Sequence, residues 1–144
     1  MAATRHAEVT WRGSLFDGNG RIEQVGSGAF GPLDVTWASR AEEPDGRTSP
    51  EELIAAAHAS CFSMALSLVL AEGGNPPDEL KTTADVTFVP GTGITKIALA
   101  VRGRVPGLDE ARFREAAEDA KDNCPVSQAL AAVGDISVEA TFEP

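Results

Sequence analysis

The sequence is poor in positive charge. Its 144 residues include 12 Lys or Arg against 22 Asp or Glu, which gives a formal net charge of −10. The arginines are scattered, so no basic patch is predicted that would neutralise a phosphate backbone. The excess of acidic residues mainly favours solubility. A nucleic-acid partner is therefore not expected.

Targeting signals and internal divisions are also missing. Residues 1–13 hold no apolar stretch of the kind that a secretory signal needs, so a cytoplasmic location is expected. No internal repeat, low-complexity segment or linker divides the chain. A length of 144 residues fits one compact domain large enough to bury a core, and a single domain over residues 1–144 is predicted.

Residues 53–71 contain no charged side chain, and a stretch of 19 residues is long enough to span a bilayer. Yet the stretch includes one histidine, three serines and six alanines. This composition is more typical of a closely packed helix in a protein core than of a lipid-facing helix. No membrane association is predicted.

Cysteine and histidine are scarce, with two of each. There is no CxxC motif, so no metal site is predicted, and no cofactor is required. In a cytosolic chain, two cysteines are more often reactive or redox-active than a static crosslink. A distant pair permits a cycle of thiolate, sulfenic acid and disulfide.

The pattern of apolar residues and turns predicts an α+β domain. Its strongest local signal is Ser49-Pro50-Glu51-Glu52, where a helix N-cap, a first-position proline and a capping-box glutamate are in register. A long helix should follow and end near Glu72, before Gly73-Gly74. Strands are predicted at residues 8–12, 20–25, 33–39, 81–89, 95–105 and 136–142, and further helices at 109–122 and 126–133.

Cys61 lies in the middle of the long helix, where a cysteine most often serves as a small buried hydrophobe. Burial alone raises a thiol pKa, so a nucleophilic role needs a group that stabilises the thiolate. Cys124 precedes Pro125 at a predicted helix start, where unpaired backbone amides would lower a cysteine pKa. Local sequence therefore favours Cys124 as the more reactive sulfur.

His58 is three residues before Cys61 on the same helix face. It could activate the sulfur, but a histidine in such a position is more often a satisfied polar member of the core. Glu51 and Glu52 suit the helix dipole at the first turn. Glu51 is ten residues from Cys61, about 15 Å along a helix axis, so within one helix the two side chains cannot touch.

The segments SPEELIAAAHASCFSMALSLVLAEGG, TTADV, ITKIAL, VPGLD and AKDNCPVSQAL resemble the OsmC/Ohr family of peroxide-resistance proteins, and the OsmC branch in particular. The resemblance extends from Trp11 to the last strand. It implies an OsmC-like intertwined homodimer, with antiparallel sheets packed around two long central helices and active sites at the interface. Two such helices would share one core, which would account for the uncharged stretch.

The resemblance also implies roles for single residues. Cys61 is expected to be the peroxidatic cysteine and Cys124 the resolving one, which reverses the ranking from local sequence. Glu51 is expected to hold an arginine beside the reactive sulfur. Arg40 matches the arginine position, although the loop that follows leaves Arg47 as an alternative.

The function implied is a cysteine-based peroxidase that reduces organic hydroperoxides to alcohols. Cys61 would form a sulfenic acid and then a disulfide with Cys124, which an external dihydrolipoyl-type dithiol would reduce. Apolar residues near Cys61 would favour bulky organic peroxides. The alternatives are a dimer that binds an apolar ligand without peroxidase turnover, a purely structural disulfide, and a hydrolytic use of Cys61 with His58.

Overall fold

The computed structural model describes residues 1–144. They form two compact units, Met1–Leu53 and Ile54–Pro144, and the boundary between the units lies inside one long helix. The first unit holds a three-stranded sheet and a short helix. The second holds a second three-stranded sheet, most of the long helix and two further α-helices. The α+β class predicted from the sequence is confirmed.

The sheet of the first unit consists of β1 (Ala7–Arg12), β2 (Asn19–Val25) and β3 (Leu33–Val35), paired antiparallel in the order β1-β2-β3. Residues 33–39 were predicted as one strand, and this prediction is wrong in its second half. The strand ends at Val35, and Trp37–Ala41 forms a helix, α1.

A capping box explains the change from strand to helix. The side chain of Thr36 accepts a hydrogen bond from the Ser39 amide at 3.0 Å, and the Ser39 hydroxyl accepts one from the Thr36 amide at 3.0 Å. These two reciprocal bonds satisfy amides that a helix start would otherwise leave unpaired. The helix start matters because α1 carries Arg40 in its last turn.

The long helix α2 spans Pro50–Glu72, as predicted. Ser49 acts as its cap, since the Ser49 hydroxyl accepts a hydrogen bond from the Glu52 amide at 3.1 Å. The other half of the predicted capping box differs, because the Glu52 carboxylate accepts from the Thr48 hydroxyl at 2.8 Å. Beyond the helix, Gly74 has a φ of +90°, a backbone conformation that favours glycine after a helix end.

The sheet of the second unit consists of β4 (Glu79–Val89), β5 (Gly93–Arg104) and β6 (Ile136–Glu143). β4 and β5 form an antiparallel hairpin, but β6 pairs parallel with β5, so the expectation of purely antiparallel sheets is wrong for this strand. Parallel pairing needs a crossover connection. The crossover here contains α3 (Glu110–Asn123), α4 (Pro125–Ala129) and a 3₁₀ turn (Ala131–Val133).

One face of α2 packs into the core of the second unit. The buried residues of this core come from α2, β5 and α3, and include Phe62, Leu66, Leu70, Ile97, Leu99, Val101, Phe113, Ala117 and Ala120. The opposite face of α2 is exposed although it is apolar, and Met64 and Leu68 are 73% and 59% exposed. The helix is long and apolar enough to cross a membrane by length and composition, and 22% of its most apolar stretch is buried in the single chain.

Candidate active site

The second unit brings its two cysteines together. Cys61 lies half-buried on α2, and Cys124 is fully buried at the residue that precedes α4. Both are free thiols and both pack into the same apolar cluster. The Cys124 thiol lies within hydrogen-bonding reach of the Cys61 sulfur. Two side chains far apart in the sequence are therefore placed where sulfur chemistry between them is possible.

The surroundings of Cys61 hold it in the thiol form. Burial raises the pKa of Cys61, and the hydrogen bond and charge interaction with Cys124 raise it further. The backbone amide of Val126 acts in the opposite direction, because it donates a hydrogen bond to the Cys61 sulfur. The net shift is upward, so a cationic partner is needed if Cys61 is to react as a thiolate at neutral pH.

The contact with Val126 differs from what the local sequence predicted for Cys124. Unpaired amides at the start of α4 were expected to face Cys124. Cys124 does occupy the N-cap of α4 with Pro125 at the first position, but its side chain makes no capping hydrogen bond. The amide of Val126 contacts Cys61 instead. The helix-start argument therefore applies to the cysteine on α2.

In the first unit, Arg40 and Glu51 form a bidentate ion pair. Arg40 Nε donates to Glu51 Oε1 at 2.9 Å, and Arg40 Nη2 donates to Glu51 Oε2 at 2.9 Å. The Glu51 side chain is 7% exposed and that of Arg40 is 30% exposed. Charged bidentate bonds of this kind fix orientation as well as charge. The carboxylate on the first turn of α2 thus orients the guanidinium on α1.

Arg47 takes no part in this pair. Its Nη1 lies 3.4 Å from Asp45 Oδ2, and both side chains are exposed to solvent. The sequence left Arg40 and Arg47 as alternative partners for Glu51. The structure pairs Glu51 with Arg40.

An apolar cavity of about 300 Å³ lies beside Arg40 in the first unit. Arg40 is the one charged residue that lines it. The remaining lining residues are mostly apolar and include Val9, Trp11, Leu15, Ile22, Trp37 and Leu53. The sequence contains no motif that points to Val9, Trp11 or Ile22 as part of a site. A usable signal was that both tryptophans of the chain lie in the first unit, Trp11 on β1 and Trp37 at the start of α1.

His58 is fully buried, and its Nε2 lies 2.7 Å from the Ser127 hydroxyl oxygen. Burial lowers the pKa of His58, so the imidazole is neutral at pH 7. Its hydrogen-bond partner is Ser127 and not Cys61. This agrees with the interpretation of His58 as a polar member of the core, but the side chain is only half satisfied, because its buried Nδ1 has no hydrogen-bond partner. Among residues 1–144, no group of three or more His, Cys, Asp or Glu side chains is placed to hold a metal ion.

Residues 43–139 match the family model described as OsmC-like protein. The chain is 43% identical over 135 residues to the peroxiredoxin OsmC of Escherichia coli strain K12, covering 92% of this chain and 93% of that protein. It is 34% identical over 101 residues to an organic hydroperoxide resistance protein of Xanthomonas axonopodis pv. citri, covering 66% of each chain.

Solved structures agree with the sequence comparisons. The organic hydroperoxide resistance protein OsmC of Legionella pneumophila superposes with a TM-score of 0.65 at 23% identity, covering 99% of this chain and all of that one. The organic hydroperoxide resistance protein OhrB of Bacillus subtilis gives a TM-score of 0.63 at 27% identity, covering 96% of this chain and 98% of that one. The chain belongs to the OsmC family.

Proposed function

We propose that this protein is a cysteine-based peroxidase that reduces organic hydroperoxides to alcohols. The observation that carries the proposal is the contact between the two free thiols of Cys61 and Cys124 inside one apolar cluster. The names of the relatives support a role in peroxide reduction or hydroperoxide resistance. We also propose roles for Arg40, Glu51, Cys61 and Cys124 in the two steps of the reaction.

The first step is oxidation of Cys61. Arg40, held by Glu51, stabilises the Cys61 thiolate, which attacks the distal oxygen of the hydroperoxide. A sulfur–oxygen bond forms, the oxygen–oxygen bond breaks, and the alkoxide takes a proton and leaves as the alcohol. The raised pKa of the Cys61 thiol supports the need for such a cation, because the thiolate is the nucleophile.

The second step is resolution. The Cys124 sulfur attacks the sulfur of the Cys61 sulfenic acid, so that a disulfide forms and water leaves. An external dithiol of the dihydrolipoyl type then reduces the disulfide in two exchange steps and is itself oxidised to a cyclic disulfide. No metal or bound cofactor takes part in this scheme.

We propose that the working form is an intertwined homodimer that forms one functional domain from both units of each chain. The exposed apolar face of α2 supports this assembly, because a helix that is apolar on all sides belongs in a core. Small residues such as Ala56 and Ser60 lie on the same exposed face as Met64 and Leu68 and would permit close approach of a second helix. In the assembled dimer, the Arg40–Glu51 pair would meet the cysteine pair.

The same features support a soluble, cytoplasmic protein over a membrane-bound one. The Ser63 hydroxyl of α2 lies 2.7 Å from the Thr82 hydroxyl on β4, so polar groups on the inner side of the helix have protein partners. Burial of the outer face in a dimer would remove the apolar surface that would otherwise favour a bilayer. The net charge of −10 supports the expectation that nucleic acid is not a partner.

The cavity beside Arg40 supports organic peroxides as the preferred substrates. Its lining of tryptophan and aliphatic side chains suits an aryl or alkyl group, and its one charged residue is the proposed thiolate-stabilising arginine. The same cavity is the observation that favours the second candidate function, a dimer that binds an apolar ligand without turnover.

One experiment separates these two functions. The reduced protein is mixed with a stoichiometric amount of cumene hydroperoxide, and intact mass and free thiols are followed over seconds. We expect loss of both thiols as an intramolecular disulfide that dihydrolipoamide reverses. Cys124→Ser should stop at an oxidised Cys61, and Cys61→Ser should not react. Two unreacted thiols in the wild-type protein would reject the peroxidase and leave the ligand-binding protein.

A further inference from the structure

The hydrogen bond between His58 and Ser127 connects α2, which carries Cys61, to α4, whose N-cap residue is Cys124. His58 is three residues before Cys61 on α2, and Ser127 is three residues after Cys124 on α4. Residues three apart on a helix lie on one face. Each partner is therefore a close neighbour of one redox cysteine.

The bond is short and buried. His58 Nε2 and Ser127 Oγ are 2.7 Å apart, His58 is fully buried and Ser127 is 7% exposed. His58 Nδ1 is also buried and has no hydrogen-bond partner. Burying an unpaired polar nitrogen is unfavourable, and two apolar side chains would avoid this penalty. What the polar pair provides is a directional contact, which fixes the distance between two helices more narrowly than apolar packing does.

Apart from this bond, α4 is positioned by the Val126 amide at the Cys61 sulfur and by the apolar packing of the Val126 side chain. It is five residues long, and its N-cap, Cys124, makes no side-chain capping bond. A helix of that length has almost no stability of its own, so its placement depends on tertiary contacts. Disulfide formation, however, needs a narrow range of Cβ–Cβ distance and of dihedral angle. A small displacement of α4 would move Cys124 out of that range.

We propose that His58 and Ser127 are positioning residues that hold Cys124 at the distance and angle needed to condense with oxidised Cys61. The inference rests on the proposed function and assigns a step to these residues. They do not touch the peroxide or either reacting sulfur. They act on resolution, in which the Cys124 sulfur displaces water from the Cys61 sulfenic acid, and leave the preceding attack on the peroxide unchanged.

The test compares Ser127→Thr with Ser127→Val. The two variants have nearly the same shape, but only threonine keeps the hydroxyl. After rapid mixing with cumene hydroperoxide, we expect both variants to lose the Cys61 thiol at the wild-type rate within about twofold. Disulfide formation should be about 10-fold or more slower in Ser127→Val, since small misplacements of reacting groups have effects of this size. Ser127→Ala serves as the second variant if Ser127→Val does not fold.

Slow resolution has a chemical signature that loss of stability alone would not produce. A sulfenic acid that persists reacts with dimedone and is oxidised further to sulfinic acid by excess peroxide. We expect both products on Cys61 of Ser127→Val, by mass spectrometry, and neither on Ser127→Thr. In a His58→Leu background the Ser127→Val change should have no further effect, because the bond is already absent. Equal resolution rates in the threonine and valine variants would overturn the proposal.

A second measurement tests the positioning role of His58 and Ser127 independently of the proposed peroxidase activity. The equilibrium of the Cys61–Cys124 disulfide with glutathione reports the effective concentration of one thiol at the other and needs no peroxide. Ser127→Val should lower this effective concentration about 10-fold relative to Ser127→Thr. If the wild-type protein does not react with peroxide but the two variants still differ here, the peroxidase is rejected and the positioning role stands. Equal values reject the positioning role.

Discussion

Removal of Arg40 tests two proposed roles of this side chain, which are to stabilise the fold through Glu51 and to stabilise the Cys61 thiolate. In Arg40→Ala, the Glu51 carboxylate stays buried but loses all three of the contacts of 2.9, 2.9 and 3.2 Å that the guanidinium provides. Removing one partner of a fully buried ion pair destabilises a protein by about 3–5 kcal/mol. Because the Arg40 side chain is 30% exposed, water can partly replace it. We therefore expect a loss of about 2–3 kcal/mol.

Two variants calibrate this value. Arg40→Lys keeps the positive charge but not the two parallel N–H donors of the guanidinium, and we expect the free energy of unfolding to fall by about 1 kcal/mol. Arg47→Ala removes a pair in which both side chains are exposed, so its effect should stay within about 0.5 kcal/mol. The free energy of unfolding of these three variants is measured by urea unfolding at pH 7. The protein concentration is held fixed, because the stability of the proposed dimer depends on it.

The chemical consequence is measured on the same variants. If Arg40 stabilises the Cys61 thiolate, the pH midpoint for alkylation of Cys61 by iodoacetamide should rise in Arg40→Ala and stay unchanged in Arg47→Ala. Oxidation by cumene hydroperoxide should slow in parallel. An Arg40→Ala protein that matches wild type in stability would refute the reasoning about the buried pair. An unchanged alkylation midpoint would refute the role of Arg40 at the sulfur.

Three further predictions concern other parts of the chain. The pKa of His58 is lowered by burial, so below the unfolded value of about 6.5 the unfolded chain binds a proton that the folded chain does not. Stability should therefore fall on acidification by up to about 1.4 kcal/mol per pH unit, and His58→Gln should reduce that slope in urea unfolding between pH 6.5 and 5.5. Met64→Lys places a charge on the exposed apolar face of α2. It should yield monomers by sedimentation equilibrium, whereas Glu72→Lys, at the end of the same helix, should not; a dimeric Met64→Lys protein would contradict the proposed interface. Trp11→Ala opens the cavity beside Arg40. The KM for cumene hydroperoxide should rise several-fold while the reaction with hydrogen peroxide changes little, and an equal change for both peroxides would argue against this cavity as the substrate site.

Elements with a clear period or a clear capping signal were predicted well from the sequence. β4 alternates between exposed and partly buried residues along its length, and the long helix begins at Pro50 as its capping signal indicated. The prediction of one strand over residues 33–39 was wrong in its second half because Thr and Ser are compatible with both a strand and a helix cap. The hydrogen bonds between Thr36 and Ser39 decided in favour of the cap, and local propensity does not contain that information.

The candidate site could be predicted only in part, for a related reason. That Cys61 and Cys124 meet depends on the crossover through α3, and no local pattern encodes that contact; the expectation came from the resemblance to a family. The amides at the start of α4 were expected to face Cys124, but the amide of Val126 contacts Cys61, because the sequence shows where a helix starts but not which side chain faces it. The sequence also could not predict which face of α2 is exposed, because a helix that is apolar on all sides has no period that separates a core face from an interface.

The raised pKa of the Cys61 thiol links the reactivity of this cysteine to formation of the proposed dimer. In the single chain its thiol lies in an apolar cluster with a raised pKa, and Cys124 stabilises the neutral form further. Such a thiol is a poor nucleophile, but it already lies beside Cys124. A cation brought close to the sulfur would make Cys61 a better nucleophile and would leave its position beside Cys124 unchanged. If the Arg40–Glu51 pair meets the sulfur in the dimer, assembly activates the protein, and Met64→Lys monomers should show a raised alkylation midpoint for Cys61 with both thiols intact. Monomers that react with peroxide as fast as the dimer would mean that each chain carries a complete site.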